Sequence, residues 1–339
     1  MKAVVLVGGE GTRLRPLTDT MPKPLVSLVD RPILDHVLDH LGRHGVHEVV
    51  LSSSYLEEKF RGFLGRRREP GITWITETEP LGTGGAIVHA LGALDTDEPF
   101  LALNGDILTD LDLTALVARH RERDATATIA LHHVEDARPF GLVVTEPDGR
   151  VLEFREKPAD AVPGHVNAGT YVLEPSALEG WTPGANVSIE REIFPKLIAD
   201  GHPLVGFAKD AYWIDLGTPE QYLQASFDLL DGLVRGADAY EAPHVESSGV
   251  HRDGVVGFHV VAGPGASVAA NAAVEESVLL EGAVVDGSAV VRRSILGPNA
   301  HVREHARVTD SVLGQDARVE AGAVVHGARV SAGERISGP

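Results

Sequence analysis

The apolar residues in the first two-thirds of the chain fall into short runs separated by helical patterns. KAVVLV, EVVLSS, ITWIT, FLALNGD, ATIALHHV and GLVVT have the length and β-branched content of strands. ILDHVLDHLGRHG, GGAIVHALGAL and LTALVARHRER place apolar residues at i, i+3, i+4, as helices do. PEQYLQASFDLLDGLV, from Pro219, is a further helix with proline at its start. Strands alternating with helices predict an α/β domain with a largely parallel sheet. In such sheets ligands bind beyond the carboxyl ends of the strands. The loops after KAVVLV and FLALNGD are therefore the first places to look for chemistry.

From about Gly257 the texture changes to a repeat of six: GASVAA, NAAVEE, EGAVVD, GSAVVR, NAHVRE, HARVTD, DARVEA. Aliphatic residues fall at 268 and 274, then at 278, 284, 290, 296, 302 and 308. After a slip they resume at 313, 319 and 325, then at 330 and 336. Ala, Ser or Gly stands two positions before most of them (Gly282, Ser288, Ser294 and Ala300, for example). A hexapeptide β-helix predicts both features, with the aliphatic side chain inside a triangular prism and the small residue at its tight corner. Roughly three hexads per coil give four to five coils. The expected domains are 1–236, a linker over 237–256, and a coiled domain over 257–339.

Composition narrows the chemistry. The 339 residues are 43% hydrophobic, enough for a sizeable core. The net charge of −19 argues against nucleic-acid and membrane-surface partners, both of which need a cationic face. There are no cysteines, so disulfides, thiolate metal sites and cysteine nucleophiles are excluded. The apolar run in MKAVVLVGGEG is too short for a signal peptide, and no segment reaches the ~18 apolar residues of a membrane span. A cytoplasmic location is expected. The sixteen histidines are scattered and show no metal-ligand spacing.

The loop GGEGTRLRPLTDTMPKPL, behind the first strand, concentrates the candidate chemistry. Gly8, Gly9 and Gly11 allow backbone N–H groups to approach an anion, although glycines alone fit an ordinary tight turn equally well. The loop lacks the G-x-G-x-x-G fingerprint, since Leu14 takes the sixth position, and it lacks the Gly-Lys pair of a Walker loop. Arg13 adds a planar fork of donors. Lys23 is held between Pro22 and Pro24. A solvated lysine gains nothing from that restriction, whereas one that must meet charge developing in a transition state does.

G-G-x-G-T-R-L-x-P-L-T…P-K-P resembles the signature of the sugar-nucleotide pyrophosphorylases, nucleotidyltransferases that join a sugar 1-phosphate to a nucleoside triphosphate. NGD (104–106), FREKP (154–158), NAGTY (167–171) and YWIDLGTPEQY (212–222) resemble four later motifs of that family, in order. The resemblance implies a Rossmann-like mixed sheet followed by a left-handed parallel β-helix; the exposed coil ends and flat faces of that helix need covering, so a homo-oligomer is expected. It implies Arg13 and Lys23 as catalytic residues, and Mg²⁺ held by Asp106 and Asp215, which without the motifs around them would be better read as caps. It implies nucleotide contacts from Leu6, Gly8, Gly9, Gly11, Thr12, Glu77, Pro80, Gly82, Thr83 and Asn104. It implies sugar-phosphate contacts from Gly141, Glu156, Lys157, Asn167 and Gly169.

ETEPLGTGGA (77–86) and VSIEREIFPKL (187–197) resemble the mannose-1-phosphate guanylyltransferase branch. Relatives that use dTTP or UTP carry glutamine where Glu77 aligns. Guanine offers two adjacent donors, which one carboxylate can accept. Glu77 is the expected reader of the base, with Glu79 the competing candidate. The expected reaction joins GTP and a sugar 1-phosphate, with mannose first and heptose, glucose or a cyclitol as alternatives. A hexapeptide acyltransferase and a non-catalytic sugar-nucleotide sensor are the readings from other classes. The first lacks an inserted loop with a catalytic histidine; against the second stand the intact Arg13, Lys23, Asp106 and Asp215.

Overall fold

The computed structural model describes residues 1–53, 57–67, 69–240, 244–246 and 250–338, without the side chains of Glu57, Glu156 and 244–246. Internal contacts divide the chain into two compact units: Met1–Gly9 with Val37–Trp213, and Glu10–His36 with Ile214–Pro339.

The first unit is built on a nine-stranded sheet. Its strands are β1 (Lys2–Leu6), β2 (Glu48–Ser53), β3 (Gly71–Thr76), β4 (Phe100–Asn104), β5 (Ala127–Val134), β6 (Gly141–Thr145), β7 (Val151–Glu156), β8 (Gly164–Leu173) and β9 (Leu204–Ala208). One half, in the order β4-β1-β2-β3, is wholly parallel. Ala3, Val4 and Val5 of β1 are fully buried, as a strand covered on both faces requires. In the other half β8 runs antiparallel to β4, β5 and β6, and β9 is parallel to β5. The sheet is thus evenly mixed rather than mainly parallel. Strands β7, β8 and β9 lie outside the sequence-expected set; the polar GHVN start of β8 hides its period.

The helix Gly82–Leu94, labelled α1 here, is apolar almost all round. That pattern belongs to a buried helix. Its Ile87, Val88, Ala90 and Leu94 share one core with Val4, Phe100, Tyr171, Ile189, Ile193 and Phe194.

In the second unit a helix over Pro219–Leu230 (α2) begins at Thr218, whose hydroxyl accepts from the Gln221 N–H. The C-terminal region then forms three parallel sheets of six, six and five short strands, the arrangement of a parallel β-helix. The first strands, His244–Glu246 and His251–Arg252, lie in the stretch expected as linker. Serine-backbone bonds link residues 17 apart, so a coil is two hexads and one pentad. The single slip read from the sequence therefore recurs in every coil.

The pentad also corrects the inner positions of one coil. Leu279, Val285 and Val291 belong to the core of the coils with their ladder partners Leu296, Val302 and Val308, whereas Val284 and Val290 are only half-buried and Val278, though buried, lies outside that core. Adjacent aliphatic residues, Val278-Leu279, Val284-Val285 and Val290-Val291, left both registers open to the sequence. The small residues shift likewise, to Ala283 and Ala289. At the short corner Glu276, Arg293 and Asp310 take positive φ. Behind them Ser277, Ser294 and Ser311 each donate to the carbonyl two residues back, at 2.7 Å. Each accepts an N–H from the next coil, satisfying backbone that the tight turn would otherwise strand.

Candidate active site

In the first unit, Leu6, Gly8, Gly9, Glu77, Pro80, Leu81, Gly82, Thr83 and Ala86 line a cavity of about 230 Å³. It lies at the carboxyl end of the parallel half-sheet, since Leu6 closes β1 and Glu77 follows β3. A Cβ built on Gly9 would meet nothing within 4 Å. Packing therefore does not demand that glycine, and the space beside it is open.

Glu77 is only 7% exposed. Its Oε1 accepts from the Ser52 hydroxyl at 2.7 Å and its Oε2 from the Leu81 N–H at 3.3 Å. Its own N–H donates to the Ser53 carbonyl. Each carboxylate oxygen keeps a further lone pair. Glu79, the competing candidate, is exposed and does not line the cavity.

The loop that carries Pro80 and Gly82 is braced by residues 185–190. Asn186 donates to the Pro80 carbonyl at 2.7 Å, and the Val187 N–H to the Leu81 carbonyl at 2.8 Å. The Thr83 hydroxyl donates to Glu190 at 2.6 Å and accepts from the Ile189 N–H. Gly82 has φ +69°, and a Cβ there would lie 2.7 Å from the Val187 carbonyl. The two stretches that marked the branch in sequence are one packed object.

At the end of β4, a Cβ on Gly105 would lie 2.8 Å from the Leu6 carbonyl, so only glycine lets the chain turn toward Asp106. Gly169, at φ +67°, lies against the Asn104 amide, where a Cβ would approach Nδ2 to 2.6 Å. The NGD and NAGTY motifs therefore meet. Asn167 accepts from the Gly169 N–H at 2.9 Å and donates to the Tyr171 hydroxyl at 2.8 Å. Its amide is thus largely committed to shaping its own strand. Gly141 is paired with the Glu156 backbone, and the Lys157 N–H donates to Phe140 with φ at 50°. Lys157 is exposed; the side chain of Glu156 lies outside the described residues.

The second unit holds the rest of the signature loop. Gly11 takes φ +61°, and a Cβ there would crowd Thr18 and Lys23 at 3.0 and 3.1 Å. The Thr18 hydroxyl donates to its carbonyl at 2.8 Å. Thr12–Leu14 and Lys23–Leu25 form short 3₁₀ turns. The Lys23 side chain is 7% exposed, and its ammonium stands 3.7 Å from Oδ1 of Asp215. Arg13 donates to Oδ2 of the same carboxylate at 3.3 Å, with its side chain 63% exposed. A buried lysine needs a counter-charge, and Asp215 provides it.

Ser52, Gly217 and the bracing role of residues 185–190 escaped the sequence reading, although 187–190 stood inside the quoted VSIEREIFPKL. A Cβ on Gly217 would lie 2.6 Å from Nη2 of Arg13 and 3.0 Å from Oδ2 of Asp215. The serine offered no signal by itself; the glycine stood inside the quoted YWIDLGTPEQY. Among the described residues no three His, Asp or Glu side chains group as a metal cage, and no helix is long and apolar enough to cross a membrane.

A parallel half-sheet with a cavity at its carboxyl end, together with a glycine loop presenting arginine and lysine, defines a nucleotide-handling α/β protein. Residues 2–232 match the family model described as nucleotidyl transferase, and residues 243–338 match that of the GMPPB C-terminal domain. The chain belongs to the nucleotidyl transferase family. Mannose-1-phosphate guanylyltransferase of Mycobacterium tuberculosis is 37% identical over 299 residues, covering 86% of this chain and 83% of that protein. Mannose-1-phosphate guanylyltransferase 1 of Arabidopsis thaliana is 37% identical over 289 residues, covering 83% and 80%. The crystal structure of HddC from Yersinia pseudotuberculosis complexed with GMP-PN superposes with a TM-score of 0.59 at 30% identity, covering 66% of this chain and 97% of that one.

Proposed function

We propose that the protein transfers a guanylyl group from GTP to mannose 1-phosphate, giving GDP-mannose and pyrophosphate. The observation that carries the base assignment is the buried Glu77 carboxylate, oriented by Ser52 and Leu81 and lining the cavity. Its free lone pairs suit the adjacent N1–H and N2–H₂ donors of guanine. The likeness to proteins named mannose-1-phosphate guanylyltransferase supports the sugar.

The reaction needs no protein nucleophile, because the sugar phosphate is already an anion. Its oxygen attacks the α-phosphorus in line, the α–β P–O bond breaks, and pyrophosphate leaves with the electron pair. Positioning and charge neutralisation supply the catalysis. Leu6, Gly8, Gly9, Pro80, Gly82 and Thr83 hold the base, and Asn104 the nucleoside. Gly11 and Thr12 present backbone to the phosphates. Arg13 neutralises the outer phosphates, and Lys23 the α-phosphate under attack. Lys157 binds the incoming phosphate, while Glu156, Gly141, Asn167 and Gly169 form the sugar pocket.

Asp106 and Asp215 are assigned to Mg²⁺. Carboxylates are the hard oxygen donors this cation takes. The bound cation would neutralise charge on the triphosphate. Because Asp215 also touches Arg13 and Lys23, nucleotide binding would exchange partners around one carboxylate. Self-association through the β-helix belongs to the same reading, and light scattering checks it.

Lys23→Ala and Asp106→Ala test the mechanism. Each should lower turnover by about a thousandfold with the fold intact, as loss of a charge-stabilising group does. Near-normal turnover in either would overturn the assignment.

A further inference from the structure

The geometry points to Arg329 as a positioning residue for the signature loop, which makes the last coils of the β-helix part of the apparatus that sets Arg13. Arg329 opens the strand Arg329–Val330. Val330 packs inside the coil, so its neighbour points out. Nη1 of Arg329 donates to the Arg13 carbonyl at 2.7 Å and to the Arg15 carbonyl at 3.3 Å. These groups are more than 300 positions apart in the chain, and one guanidinium nitrogen holds the carbonyl of Arg13 itself and that of Arg15, the residue just past its turn.

A second contact comes from the coil before. Its strand Val312–Leu313 pairs with Arg329–Val330. Just beyond, Gln315 accepts the Thr20 hydroxyl at 2.8 Å. Two successive coils thus hold the loop at residues 13–15 and at residue 20. Within the loop itself the restraints are short. The Leu14 and Arg15 N–H groups close 3₁₀ bonds to Gly11 and Thr12, and Thr18 reaches back to Gly11. A three-residue 3₁₀ turn has poor hydrogen-bond geometry and little stability of its own. The Arg13 side chain is mostly exposed, and among the described residues its backbone and the bond to Asp215 set where the guanidinium starts.

Holding the Arg13 carbonyl and the Arg15 carbonyl beyond it restrains ψ of Arg13 and the peptide units that follow, the backbone from which its side chain departs. The arrangement also gives the coils a second task. Any strain or assembly that shifts the last coils is delivered to the Arg13 backbone.

The inference rests on the guanylyltransfer reading for its kinetic readout, and on hydrogen exchange for a readout independent of it. Steady-state pyrophosphate release with GTP and mannose 1-phosphate is measured for wild type, Arg329→Ala, Arg329→Lys and Arg13→Ala, together with the double variant. Arg329→Ala should lose about tenfold to a hundredfold in kcat, the cost of a small misplacement of a charged group. Arg329→Lys, which keeps one donor, should recover part of it. Adding Arg329→Ala to Arg13→Ala should cost little more than Arg13→Ala alone. In parallel, the amides of residues 12–15 should exchange faster in Arg329→Ala while peptides from residues 260–310 do not change.

Unchanged kcat, or unchanged exchange at residues 12–15, in Arg329→Ala overturns the positioning role. Exchange that rises throughout the coils also overturns it, since Arg329 then merely holds the β-helix together. Wild-type protein that releases no pyrophosphate, while Arg329→Ala still loosens residues 12–15, sinks the proposed function and leaves the brace standing.

Discussion

The Ser52 hydroxyl donates to Oε1 of Glu77 at 2.7 Å, from the end of one parallel strand to the residue just past its neighbour. The bond aims a buried carboxylate that would otherwise have several rotamers. Ser52→Ala should raise the KM for GTP by roughly tenfold, the loss of one hydrogen bond to a charged group, with kcat nearly unchanged. Glu77→Gln should relax the choice among GTP, dTTP and UTP. Initial rates with each nucleotide check both, and undiminished GTP preference in Glu77→Gln would remove Glu77 from base reading.

Gly217→Ala should act on Arg13. The new methyl would come within 2.8 Å of Cζ of Arg13, whose exposed end can swing aside. Folding should then be spared and the guanidinium lost from its place beside Asp215. The expected result is a fall in kcat approaching that of Arg13→Ala, by about tenfold to a hundredfold, with little change in melting temperature.

Gly85→Ala should behave in the opposite way. A Cβ there would stand 2.2 Å from the Ala185 carbonyl, which is backbone and cannot rotate away. Either α1 or residues 185–190 must move. A loss of about 1–3 kcal/mol is expected from such overpacking, read as a lower denaturant midpoint, together with a weakened nucleotide pocket.

Acid should destabilise the protein through His40. Burial first, then the charges of His44 and Arg43, lower its pKa from 6.5 to about 4. Its Nε2 is buried without a hydrogen-bond partner among the described residues. The unfolded chain takes up a proton below pH 6.5, whereas the folded state resists until about 4. The stabilising term is complete above pH 6.5 and is lost as pH falls through that window, by up to roughly 3 kcal/mol. His120, His132 and His165 are also lowered by burial and add the same sign. Denaturant midpoints at pH 7 and pH 5 measure the slope, and His40→Phe should flatten it.

Much of this was legible in the chain. The four strands of the parallel half-sheet announced themselves through apolar runs such as KAVVL, and the hexad repeat exposed the β-helix. The pentad did not, because Val284-Val285 and Val290-Val291 satisfy two registers and only the pairing ladder chooses. Strand β8 stayed hidden because its NAGTY bulge breaks the alternation, with register shifting between Asn167 and Tyr171. Glu77 could be proposed from guanine chemistry, but choosing it over Glu79 required burial, which one-dimensional spacing does not carry. Arg329 gave no sequence signal, since its partners are backbone carbonyls and any outward arginine on a coil looks alike.

The most direct test is a matrix of GTP, ATP, UTP, CTP and dTTP against mannose, glucose, heptose and cyclitol 1-phosphates, scored by pyrophosphate release with Mg²⁺. The expected result is the highest kcat/KM for GTP with mannose 1-phosphate. Preference for another nucleotide would contradict the role of Glu77, and absence of pyrophosphate release with every pair would contradict guanylyltransfer itself.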